Sequence, residues 1–535
     1  MNDIGVEVFQ RYSAVVTERA TYERFWQEIR ELVRINTTNF QRQNSPGDVR
    51  SMNIYDATAQ QSAEELASAL HAYMSSPSER WFGLEVEGDL MTNRDPQVIA
   101  WCQQVAEVIY EEFRNDATGC VSAMQECYQD IATLGTSILF CGWNFEKNRL
   151  YFRSYPLSMI YCEENNLGMI DVIFRKLPMT PRQIVQEFGA EALDPKFVAD
   201  SEQNRRKFDV IHAVFPNSDR IADRMDSGNK AFASVWLLAE DKKVLRQSGY
   251  DQQPYIVARW SKLSEEVYGR GPAINCLPEI RGLNRMELTM LKAMQKAVDP
   301  PLVVPNDGFM LPIATSPGAI IFKEPGAEKI EVLEHKGRLD LGMEKADQKR
   351  DFIRRAFFAE FVKLTQKKER QTAFEIQQLI EQQLKLMAPM LGRIQTEFHA
   401  PMIGRAYALL QRAGKIPPSP DQLRGKNLKI VYQSNAARAQ VAAQADSMGR
   451  YAQELLPLAQ VHPEIMDAID TDKFAQEVAR VRGIPSSILR SPKDLAALRA
   501  QKAQAQQMQQ AAQIAQPASE AVKNLSQAQA AAPFP

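Results

Sequence analysis

The sequence predicts an α+β protein, mainly α, and three observations carry that expectation. Apolar residues recur every three to four positions through 5–34, 58–73, 273–298 and 374–412, the period of an amphipathic helix. Between 136 and 260 the period shortens towards two, in short runs rich in Val, Ile, Tyr and Phe. A stretch dense in Pro and Gly, 299–336, separates two of the long helical segments.

In chain order, Val8, Tyr12, Val15, Val16, Tyr22, Phe25, Ile29 and Leu32 mark the first helix. The polar run NTTNFQRQNSPGDVRSMN follows as a loop. A second helix is expected over 58–73, with Ala63, Leu66, Leu70 and Tyr73 on one face. SSPSERWFGLEV turns the chain, and Trp81 and Phe82 pack it down. Two more helices are expected at 96–115 and 119–134. SILFCGWNF, RLYFRSY, SMIYCE and MIDVIFRK then read as an antiparallel meander, separated by Asn, Gly and Lys. Thr180-Pro181-Arg182-Gln183 supplies an N-cap, a first-turn proline and a capping Gln, and Gly189 stands where that helix ends. Further strands are expected at 208–215, 232–240 and 254–260.

Tyr268-Gly269-Arg270-Gly271-Pro272 breaks the chain before the helix at 273–298, which Asp299-Pro300-Pro301 ends. After the insert, RLDLGMEKADQKRDFIRRAFFAEF predicts a helix and VKLTQKKERQTAF a basic loop. A long helix follows, with Ile376, Leu379, Ile380, Leu384, Met387, Leu391, Ile394 and Phe398 in one stripe. Past Gly414 and IPPSP, 421–500 returns to helices around one strand-like piece, LKIVYQ. The tail from Arg499 is Ala/Gln-rich. It forms a solvated helix or one packed on copies of itself, and it has too few large apolar groups to fold alone.

At 535 residues the chain has room for about three or four domains. With 24% charged residues and a net charge of −2, its overall charge does not point to nucleic acid. Six cysteines (Cys102, Cys120, Cys127, Cys141, Cys162 and Cys276) show no metal-ligand spacing and fit buried thiols of a reducing compartment. A soluble, cytosolic chain without a membrane span is expected, since no signal sequence opens it and no apolar run approaches roughly twenty residues. GxxxxGK[ST], HExxH, GxSxG and GxGxxG do not occur, and His71, His212, His335, His399 and His462 share no ligand spacing. No catalytic residue, metal ligand or cofactor site is therefore expected.

One local feature stands out. Between Lys336 and Arg370, Lys and Arg outnumber Asp and Glu inside a nearly neutral chain. Lys363, Lys367, Lys368 and Arg370 fall within eight positions on the basic loop. A solvated connection between antiparallel helices accounts for such a run. So does contact with phosphates, which requires flexible cations and no particular sequence.

The order of these parts resembles the portal proteins, or head-to-tail connectors, of short-tailed double-stranded DNA bacteriophages. YERFWQEIRELVRINT is similar to that family's first helix, and QSAEELASALHAYMSSPSERWFGLEV to its second helix with the following Trp. TLGTSILF is similar to its helix-to-strand step and EVYGRGPAINCLPEIRGLNRMELTMLKA to the approach to its first stem helix. KKERQTAFEI looks like its loop and the start of its central helix.

The resemblance implies a portal fold: a wing at 1–267, stem helices at 268–298 and 337–360 and a clip at 299–336. It further implies a tunnel loop at 361–373, a tunnel or wing helix at 374–412, a crown at 413–500 and a barrel helix and tail at 501–535. It implies a homododecameric ring at one capsid vertex of the virion, assembled in the host cytoplasm, through which double-stranded DNA passes without sequence specificity. Implied partners are the major capsid and scaffold proteins, the terminase packaging motor and a tail adaptor. Lys363, Lys367, Lys368 and Arg370 would line the tunnel loop, and Lys345, Lys349, Arg350, Arg354 and Arg355 are candidate channel-lining stem residues. The alternatives are a non-ring helical nucleic-acid-binding protein, another head–tail structural protein, and an enzyme with a dispersed site.

Overall fold

A computed structural model of the chain describes residues 2–35, 40, 53–89, 92–199, 201–218, 220–221, 226, 228–298, 302–303, 331–332, 339–359 and 387–432, with isolated positions from 451 to 502. The chain forms two compact units, Met1–Gln433 and Ser434–Pro535. In the second, the described positions are helical, 498–502 among them. The first is α+β.

Helix α1 (Asn2–Leu32) is followed by α2 (Thr58–Met74), strand β1 (Phe82–Val86), α3 (Pro96–Arg114) and α4 (Cys120–Leu134). Next come β2 (Thr136–Asn144), β3 (Arg149–Tyr155), β4 (Ile160–Glu164), β5 (Ile170–Met179), α5 (Pro181–Phe188) and α6 (Pro195–Ala199). Strands β6 (Phe208–Pro216), β7 (Phe232–Leu238), β8 (Lys243–Tyr250) and β9 (Tyr255–Arg259) complete the β-rich part. The remaining elements are α7 (Pro272–Asn275), α8 (Leu277–Val298), β10 (Leu302–Val303), β11 (Glu331–Val332), α9 (Leu339–Ala356), α10 (Ala400–Arg412) and β12 (Leu428–Tyr432).

Two antiparallel sheets organise the unit, one ordered β3-β2-β9 and one β4-β5-β6-β7-β8. Helix α1, about 46 Å long at 1.5 Å per residue, joins them to the helical core. Its first half lays Val8, Tyr12 and Val15 on the five-stranded sheet, against Phe174 and Ile211. Its second half places Trp26 and Ile29, both fully buried, in the main core with α2, α3, α4 and the three-stranded sheet. Strand alternation sends Ile173, Val210 and Val214 to the opposite face from Phe174 and Ile211, so the five-stranded sheet is buried on both sides. Arg19 locks α1 in place. Its guanidinium donates to the Leu157, Ser158 and Ile160 carbonyls, pairs with Glu23 and lies 3.8 Å from the Tyr161 ring centroid.

Three glycines bring two distant segments into backbone contact. A Cβ on Gly135 would sit 2.2 Å from the Gly271 nitrogen, and one on Gly269 would sit 2.4 Å from the Gly135 oxygen. Gly135 also has φ +79°, the left-handed region that glycine reaches without strain. Trp260 N–H donates to the Gly135 oxygen at 3.0 Å and Gly269 N–H to Thr136 Oγ1 at 2.8 Å. The helix-to-strand step TLGTSILF and the motif YGRGP therefore meet at close range.

The expected single meander is divided. β2 and β3 form a hairpin, but Pro156 and a 3-10 turn at Leu157–Met159 carry the chain into the other sheet, and β9 takes the free edge of β2. Two strands lacked a clear signal. β8 is a polar edge strand with few buried positions, and β1 lies in what reads as a turn. β1 pairs with β12, Phe82 opposite Tyr432 and Val86 opposite Leu428. The piece LKIVYQ is thus a strand of the first unit, whose limit falls after Gln433. All six cysteines are buried free thiols. Among the described residues, no helix is long and apolar enough to cross a membrane.

Gly135→Ala is expected to lower stability by about 3 kcal/mol or more, because the new Cβ meets backbone and the dihedral is strained. Gly228→Ala, with open space around its Cβ, should stay within about 0.5 kcal/mol of the parent in the same thermal melts.

A pH dependence follows from His399, which is fully buried with Nε2 2.8 Å from the Tyr128 hydroxyl. Burial pushes its pKa down to about 3. Unfolding returns it to about 6.5, so its contribution is complete above that pH and is lost towards pH 3, at ~1.4 kcal/mol per unit. Urea midpoints measured from pH 6.5 to 4.5 should fall, and His399→Phe should flatten that slope by about one proton.

Candidate functional site

The region with the placed charge is a helical hairpin. Gly271 and Pro272 open the single-turn α7, and α8 continues from it. β10 and β11 pair as a short antiparallel ribbon, Leu302 with Val332, between α8 and α9. The rest of 299–336 lies outside the described residues. The base of the hairpin is buried through Leu277, Ile280, Leu283, Ile353 and Phe357, while its far half is largely exposed.

Charge holds the two helices together and ties them to the body. Lys349 of α9 pairs with Glu279 of α8. Arg350 pairs with Glu287 of α8, with Asp56 at 2.8 Å and with Asp347 at 2.7 Å. Burial works against the Asp56 carboxylate, but hydrogen bonds from Thr58 and Arg350 outweigh it and hold its pKa below the usual carboxylate value. Asn284 clamps the same loop, accepting from Tyr55 N–H and donating to the Asn53 oxygen, both at 2.8 Å. Arg281 reaches Glu28 of α1 at 2.6 Å.

A second hub lies where β9 meets the helix that leads into α10. Residues 387–394, the π-helical turn Gln395–His399 and α10 follow without a break. Pro401 cannot donate to residue 397 and its ring crowds that carbonyl, so the wider turn accommodates it. Glu397 on this turn grips Arg259 through two bonds, of 3.0 and 2.9 Å. Arg259, 3% exposed, also donates to Glu164 and to the Gly168 and Val267 carbonyls. Sequence reading missed this residue because its carboxylate partners stand 95 and 138 positions away.

The structure separates the candidate cations. Lys349 and Arg350 turn inward to carboxylates; Arg354 pairs with Asp351 at 3.1 Å; Lys345 and Arg355 are exposed. Lys363, Lys367, Lys368 and Arg370 lie outside the described residues.

The family described as bacteriophage head to tail connecting protein matches residues 6–489. The chain belongs to this family. It is 28% identical to a probable portal protein of Bordetella phage BPP-1, over 92% of this chain and 90% of that protein. It is 25% identical to a portal protein of Salmonella phage epsilon15, over 98% of this chain and 96% of that protein. The connector family's match includes both hubs and the hairpin. Connector function, joining a phage head to its tail, follows from membership.

Replacing Arg350 by Met should destabilise this connector by about 1–3 kcal/mol, since Asp56 and Glu287 lose their shared cation. Lys345→Ala should change it by less than about 0.5 kcal/mol, with both read from thermal unfolding midpoints.

Proposed function

We propose that the connector works as a portal: a closed ring at one capsid vertex, through whose axis the genome enters during packaging and leaves during ejection. The observation that carries this reading is the match to the connector family and to two phage portal proteins along nearly the whole chain. Its partners would be the capsid and scaffold proteins, the packaging motor and a tail adaptor. In this reading α8 and α9 are the stem, the ribbon-bearing insert between them is the clip, and 361–373 is the tunnel loop.

The hairpin supports the ring. Leu291, Val298, Leu341, Met343 and Phe352 are exposed on it, an apolar surface that neighbouring copies would cover. Closure requires each subunit to present two different, complementary surfaces. DNA sliding requires contacts that are weak in every register. A few cations per subunit, repeated around a ring, meet that need without reading bases.

Solution mass and negative-stain images of the full chain test the ring. Rings of about twelve subunits are expected; a monomer that persists with scaffold added would overturn the reading. In assembled particles, Lys367→Ala with Lys368→Ala should leave the ring intact and reduce nuclease-protected DNA several-fold, roughly. Unchanged DNA would remove the loop from the account.

A further inference from the structure

The hairpin carries two charged rows of opposite sign. Both acidic residues of α8, Glu279 and Glu287, face α9 and are paired there. Its basic residues, Arg281, Arg285, Lys292 and Lys296, follow at intervals of 4, 7 and 4. At 3.6 residues per turn these share one face, turned away from α9, and run for about 22 Å. All four are exposed, and among the described residues Arg285, Lys292 and Lys296 have no ion-pair partner.

Helix α9 has the converse. Asp340, Glu344, Asp347 and Asp351 follow at intervals of 4, 3 and 4 and are exposed. They share a face turned away from the one that Ala346 and Ile353 bury. Asp347 and Asp351 meet Arg350 and Arg354 within their own helix, yet their side chains remain 69% and 60% exposed.

The two rows are also in register. Gly342 lies beside Met290 and Gly282 beside Lys349, which sets the heights of the antiparallel helices. On that scale Asp351 stands level with Arg281, Asp347 with Arg285 and Asp340 with Lys292. Copies related by an axis along the hairpin keep equal heights. We infer that the basic row on α8 of one subunit docks against the acidic row on α9 of the next, as the head-to-tail contact of the stem. The inference rests on the ring reading above and names the surfaces that close it. Leu341 and Met343, exposed beside the acidic row, would be covered in the same contact.

The experiment pairs two charge-reversal variants of the full chain, Arg285→Glu with Lys292→Glu, and Asp340→Lys with Asp347→Lys. Each alone should fail to form rings, because like charges face each other at every contact. An equimolar mixture should recover rings containing both, since where the variants alternate the reversed row of one meets the reversed row of the other and the two unchanged rows meet each other. Rings from either variant alone, or no recovery on mixing two folded variants, would overturn the inference. The neutral variant Arg285→Gln with Lys292→Gln is the second measure. Its rings should dissociate at a concentration about tenfold higher than the parent's, and unchanged dissociation would count against the contact. Intact rings with reduced packaged DNA would instead place the basic row on the channel. A parent chain that forms no ring tests the portal reading itself, a different result from these.

Discussion

The backbone contact among Gly135, Gly269 and Gly271 is the constraint on which the connector's geometry depends. It leaves no room for a side chain at the point where the α4–β2 step touches the approach to α8. Helix α8 therefore departs at an angle set by main-chain atoms, which cannot repack as side chains do. Everything carried by the hairpin inherits that direction. Arg259, next to the same point, ties β9 to the π turn and so fixes the helix leading into α10 against the same strand.

Buried arginines act here as staples between elements. Arg19 joins α1 to the turn before β4, Arg259 joins β9 to Glu164 and Glu397, and Arg405 of α10 donates to the Cys141 and Gln252 carbonyls at 2.6 and 2.8 Å. A guanidinium offers five donors in one plane, so a single side chain can satisfy carbonyls and carboxylates from several segments. Such pairs add little net stability over apolar packing, but losing one partner is costly. Their effect is to select one arrangement of helices and sheets over near alternatives.

Much of this was legible in the sequence. Helical stripes placed α1 to α4 and α8 within a few residues, because a buried face imposes its period on composition. The motifs TLGTSILF and YGRGP marked the glycine contact without showing that they touch, since adjacency in space leaves no trace in spacing. The sheets were harder. Strand type followed from alternation, but partner choice did not, so one expected meander became parts of two sheets. For the charged region, the net excess of Lys and Arg was visible while its division was not. Lys349 and Arg350 neutralise α8 and an adjoining loop, and only the folded hairpin distinguishes them from Lys345 and Arg355. The row on α8 did have a signal, four cations spaced to fall on one face, but cations are denser on α9 and the loop after it.

The pairing of β1 with β12 joins residues 82 and 432 across most of the first unit. During synthesis, the edge of β1 waits unpaired until Leu428–Tyr432 leave the ribosome, long after the hairpin has been made. A contact this distant closes late, and an open strand edge invites pairing with another chain meanwhile. The nascent connector thus displays its surfaces for association before the body that orients them is finished, and shielding that strand is a task for whatever meets the chain during translation.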